Sequence, residues 1–217
     1  MSKPGTTRAC RALIREFQIT MEAVDAVVRP GSSGSFAVDL SDQSRRMRIG
    51  RYLNSLLLSR AVDLFDTYLV QVIAEVVELQ PALLRTSHEV RLDYVLRFED
   101  MDDLRRDLVE RLATRLGSEG LDAIESWFEK SLGISDMHTA TSRSDTIEAI
   151  ATRNVLTHNH GRVDRRFRQK VPGTKRGLGD EVVLGESDLR RMTEAVLNTV
   201  DRIDKAVVAK FPDLDRD

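Results

Sequence analysis

Between Arg153 and Gly161 the chain reads RNVLTHNHG, which puts an arginine, two asparagines and two of the four histidines into nine residues. Arginine offers anions a planar fork of donors, and histidine exchanges a proton near neutral pH. A stretch this rich in both is either a polar helix end or the place where the protein does its chemistry. The bare spacing from arginine to histidine decides little, because six lysines among the 33 basic residues leave 27 arginines. A GC-rich genome produces the same bias.

Helical geometry sharpens the stretch. A helix is expected to begin near Asp145, with Asp145 and Glu148 as a capping box. Ile147, Ile150 and Ala151 then define an inward stripe, and continuing it at a spacing of four reaches Asn154 and His158. Arg153 lies about 100° around from Asn154, close enough for its guanidinium to swing toward His158. Gly161 suits the left-handed conformation that ends a helix, so His158 falls in the last turn. There the helix dipole favours an imidazolium by ~0.3–1 kcal/mol, and a nearby arginine opposes it.

The elements that must position these residues are also helices. Prolines at 4, 30, 81, 172 and 212 punctuate long amphipathic patterns. The first helix is expected over about Thr7 to Val28, with Leu13, Phe17, Met21, Val24 and Val28 on one stripe, before the turn-rich connection RPGSSGS. A second runs from Gln43 to Leu79, with a possible break at Asn54, and carries Leu64, Tyr68, Val72, Ile73 and Val76 inward. A third spans Met101 or Asp102 to Leu116 and stops at Gly117. A fourth holds Leu121, Ile124, Trp127, Phe128 and Leu132 and closes at Gly133. The last starts at Ser187 and buries Leu189, Met192, Val196, Val200, Ile203 and Val207. Only EVVL, residues 181–184, reads as extended. The fold class is all-α, an antiparallel helical bundle.

Composition sets the outer bounds. The chain has 217 residues, of which 41% are apolar and 31% charged, and its formal charge is −2, so no global field attracts nucleic acid or a membrane. One cysteine, Cys10, excludes an internal disulfide and a zinc cluster, in keeping with a reducing cytoplasm. No stretch reads as a signal peptide or a membrane span.

In its place near the end of a helix, followed by an extended connection and one last helix, RNVLTHNHGRVD resembles the HEPN superfamily. That family's signature is an arginine, often followed by a polar residue, and a histidine four to six residues on. Arg153, Asn154 and His158 take those positions. The run HNHGRVD is similar to one found in the RiboL-PSP-like branch. The likeness covers roughly residues 55–210, with helix order alone outside the motif. It implies a HEPN-type domain over 51–217. The 1–50 segment lies outside the likeness; its helix and flexible connection are expected to pack on the bundle or to cover a dimer interface.

What the resemblance implies is a metal-independent endoribonuclease acting on single-stranded RNA, with no cofactor. Such domains are commonly toxins or antiviral effectors, homodimeric through the motif-bearing face, and some have a cognate antitoxin or regulatory partner. His158 would move a proton, a role worth ~10²–10⁴-fold. Arg153 would clamp the phosphoryl oxygens, and Asn154 would orient the imidazole or the phosphate. His160 also satisfies the longer spacing, but His158 shares a face with Asn154. Other members of the family have lost activity and serve as binding modules for RNA, nucleotide or a partner protein.

Directly after the motif, Arg162, Arg165, Arg166, Arg168, Lys170, Lys175 and Arg176 gather against one acid, Asp164. With His160 they form a candidate RNA-phosphate track. Phe167 is expected to anchor this run in the core rather than to stack on a base. His88 and His138 read as surface residues, Asp102 and Asp103 as the acidic first turn of a helix, and Trp127 and Phe128 as core.

Overall fold

The computed structural model describes residues 5–28, 43–84 and 91–215. Its α-helices are α1 (Arg8–Val28), α2 (Gln43–Leu79), α3 (Leu92–Val95), α4 (Met101–Glu119), α5 (Leu121–Trp127), α6 (Ala140–His158), α7 (Arg165–Lys170) and α8 (Glu186–Lys210). Short 3-10 turns follow at Pro81–Leu84 and Pro212–Asp215, and α5 runs on into a π-helical turn, Phe128–Leu132. The fold is all-α, as expected. Among the described residues the extended segment before α8 makes a single antiparallel bridge, between Arg162 and Glu181. No helix of the described chain is long and apolar enough to cross a membrane. The RPGSSGS connection and His88 lie outside the described residues.

The chain divides into two compact units. One comprises residues 1–12, 66–137 and 202–217, the other 13–65 and 138–201.

In the first unit, α2 buries Tyr68, Val72, Ile73 and Val76 on the expected stripe, at roughly 1.5–3 kcal/mol for each large apolar side chain removed from water. The start of α1 is tied down by polar contacts. Thr7, fully buried, accepts from the Cys10 N–H at 3.1 Å as the N-cap and donates its hydroxyl to Asp204. The Thr7 N–H reaches both Asp204 oxygens at 3.3 Å. Glu75, 8% exposed, faces Arg8 at 3.9 Å, and burial pushes its carboxyl above the usual range while Arg8 pulls the other way.

Asp100 caps α4, with Asp102 and Asp103 in its first turn. This helix does not stop at Gly117. It runs to Glu119 and ends at Gly120, whose φ of 92° belongs to the left-handed region. Gly117 instead sits inside the helix, where a Cβ would lie 3.3 Å from Val70 Cγ2. Its small size serves packing. Phe128 is buried and Trp127 half-buried, edge to face at 5.3 Å.

In the second unit, α2 is unbroken at Asn54, and the Asn54 carboxamide donates outward to the Leu184 carbonyl at 3.1 Å. Arg60 of α2 pairs with Glu16 of α1 at 2.8 Å. The start of α6 differs from expectation. The helix begins at Ala140, capped by a reciprocal Thr139–Ser142 box. Asp145 and Glu148 lie inside it and hold Arg191 of α8, the Glu148 contact at 2.8 Å. An acid three residues after another fits a capping box as a pattern, but here both side chains have a cation to face. His138, expected at the surface, is half-buried and bonded through Nδ1 to Thr199 Oγ1 at 2.9 Å.

Candidate functional site

The buried face of α6 consists of Thr146, Ala149, Ala151, Thr152 and Val155. Of the expected inward stripe only Ala151 belongs to it; Ile147, Ile150 and Asn154 are half-buried and His158 is exposed. Small residues carry the packing because they let a neighbouring helix approach closely, and the branched isoleucines take the flank. Asn154 and His158 do share one flank, four residues apart. That flank is half-buried at Asn154 and open to solvent at His158.

Arg153 lies on the other side of Asn154, nearer the core face, with its side chain 20% exposed. Its guanidinium does two things. Nη1 donates to the Asn154 side-chain oxygen at 3.0 Å, and Nη2 lies 2.7 Å from Asp63 Oδ1 of α2. The structure therefore joins Arg153 to Asn154 directly and adds a carboxylate that sequence reasoning missed. A signal for it existed. Asp63 is the first acid after twenty acid-free residues of α2, and it interrupts an apolar run, AVDLF.

α6 stops at His158, and the turn beyond it is tightly stitched. The Asn159 and Gly161 N–H groups both donate to the Val155 carbonyl, at 3.0 and 2.8 Å. The Asn159 carboxamide bonds the Arg162 carbonyl at 2.6 Å. His160 (φ 51°) and Gly161 (φ 71°) are both left-handed; for a histidine this conformation costs roughly 1–2 kcal/mol. The Gly161 carbonyl then accepts from Val182, at 2.7 Å, and Val163 exchanges bonds with Asp180 and Gly179. The extended segment before α8 thus braces the end of the motif.

Among the basic residues, Arg162, Arg165, Arg166, Arg168 and Lys170 are exposed, as are His158 and His160. Four of them ride on α7, which Asp164 caps by accepting from Phe167 N–H at 2.7 Å. Phe167 is 2% exposed and anchors α7 in the core, as expected. Arg176 is drawn off the run toward Glu148, at 3.6 Å. Among the described residues no group of three or more histidine, cysteine or acidic side chains is arranged to hold a metal ion.

Compared with protein-family models, with curated proteins and with solved structures, the chain finds no match.

Proposed function

We propose that this chain is a metal-independent, HEPN-type endoribonuclease acting on single-stranded RNA as a homodimer, in a toxin or antiviral role. The observation that supports it most is the arrangement at the end of α6. An arginine bonded to an asparagine, and an exposed histidine on that asparagine's flank, sit beside an exposed basic helix.

The chemistry follows from these groups. An RNA phosphate competes with Asp63 for the Arg153 fork and gains two parallel charge-assisted bonds. His158 takes the proton as the 2′-oxygen bonds to phosphorus. The bond from phosphorus to the 5′-oxygen breaks, and that oxygen takes a proton from solvent water. The products are a 2′,3′-cyclic phosphate and a 5′-hydroxyl. Asn154 keeps the guanidinium oriented while negative charge builds on the phosphoryl oxygens.

A second reading, a non-catalytic HEPN module that binds RNA, nucleotide or a partner protein, is favoured by one observation: Arg153 already has a carboxylate partner in Asp63. Incubating the protein with RNA in EDTA and analysing the ends separates the two. Cyclic phosphate is expected; intact RNA with retained binding would leave the second reading standing.

A further inference from the structure

The first twenty residues of α2, Gln43 to Val62, carry five arginines and no acid. In a protein of net charge −2 this is a strong local excess, and it lies well apart in sequence from the basic run around α7. Arg45, Arg46, Arg48 and Arg51 are exposed, and none makes an ion pair with a described residue. Among the described residues, Arg60 alone of the five meets an acid, Glu16, at 2.8 Å.

The positions matter as much as the charge. Arg45, Arg48, Tyr52, Leu56, Ser59 and Asp63 follow one another at spacings of three and four, so they share one face of α2. That face runs for about 27 Å at 1.5 Å per residue. Tyr52 is 66% exposed and Leu56 48%, a high exposure for a tyrosine with no core to fill. The face ends at Asp63, the partner of Arg153.

Building on the nuclease reading, we infer that this face of α2 is a docking track for single-stranded RNA. Arg45 and Arg48 hold the phosphates, Tyr52 stacks on a base, and the strand is delivered toward Arg153. Charge selects the occupant. Two copies of this chain packed here in parallel about a twofold axis would set arginines against arginines. A flexible polyanion with flat bases matches both the arginines and the ring.

The test uses the full chain carrying His158→Ala, so that RNA stays intact, and a fluorescently labelled oligouridylate titrated at several salt concentrations. Adding Arg45→Glu and Arg48→Glu is expected to weaken binding at least tenfold. It should also flatten the salt dependence by ~0.7 in log–log slope for each phosphate that the track no longer holds. Tyr52→Ala is expected to weaken binding about tenfold, with the slope unchanged, as stacking predicts. All three residues are exposed, and thermal unfolding checks that the variants remain folded. Unchanged affinity and slope in both variants overturn the proposal, as does a change of oligomeric state with RNA binding intact. Cleavage by the unmutated chain reads the nuclease assignment separately. If that chain cuts RNA while the α2 variants bind normally, only the track fails. If it cuts nothing while the variants lose binding, only the nuclease fails.

Discussion

Asp63 Oδ1 lies 2.7 Å from Arg153 Nη2, and half of the aspartate side chain is open to solvent. An ion pair this exposed contributes only ~0–1 kcal/mol. It is strong enough to direct the guanidinium when nothing else is bound and weak enough to yield to a phosphate.

Asp63→Asn should therefore lower KM for RNA about fivefold, the equivalent of ~1 kcal/mol of competition removed, while thermal stability changes little. Steady-state cleavage kinetics measure it. A KM that stays level or rises would show that Asp63 supports Arg153 rather than competing for it.

His158→Ala and Arg153→Ala should each reduce cleavage by about 10²-fold or more and leave the helical circular dichroism intact. His158 is exposed at a helix end, so its loss opens no cavity. Full activity in both variants would sink the assignment.

Gly161→Ala places a side chain on a left-handed residue whose N–H closes α6 onto Val155. The Cβ itself has room, with Leu156 Cδ2 at 3.7 Å, so the penalty is conformational, about 1 kcal/mol. Cleavage should fall further than stability does, because the displaced turn follows directly on His158. His160→Gly, which relieves strain at its neighbour, should raise the melting temperature instead.

Thr7→Ala removes the N-cap of α1 and a donor to a carboxylate that is 3% exposed. Loss of the cap costs ~1 kcal/mol and the under-satisfied Asp204 adds about 1–3 kcal/mol. Chemical denaturation should show a drop of roughly that sum, with Thr7→Ser recovering most of it.

Glu75 supplies a pH dependence. Burial, the largest influence, raises its carboxyl above its unfolded value, and Arg8 only partly offsets this. The folded state thus holds this proton more tightly than the unfolded chain. The stabilisation is full below the ordinary glutamate range and is lost as pH rises through the raised folded value. Glu75→Gln should remove the effect, so its stability relative to the wild type should rise with pH from the ordinary glutamate range up to the raised folded value and then level off. A difference that is flat with pH would refute this account.

Much of the architecture could be read from periodicity. The bounds of α2 and the inward stripe Leu64, Tyr68, Val72, Ile73 and Val76 appear as expected, because large residues recur at one phase over many turns. α6 was harder. Its buried face is built from alanine, threonine and one valine, residue types that serve equally inside and out, so the two isoleucines pointed to the wrong side. Gly117 misled for a related reason: a glycine can mark a stop or make room, and only the contact with Val70 tells which. At the proposed site, Arg153, Asn154 and His158 stand out through their shared place near the end of one helix and through the resemblance their run carries, and not through spacing alone. Asp63 could not be joined to them, since ninety residues of chain separate it from Arg153 and a pairing at that distance leaves no periodic trace.

Because α2 passes Asn54 without a break, the angular phase of its arginines is locked to that of Asp63. A helix transmits rotation along its axis as a rigid screw does. One alanine inserted between Leu56 and Asp63 would turn everything before it by about 100°, swinging Tyr52 and its arginines away from the Arg153 side. Four inserted residues would nearly restore the alignment. The chain has no hinge there at which to correct an error of phase, so substitutions on this stretch should be tolerated far better than insertions of one or two residues.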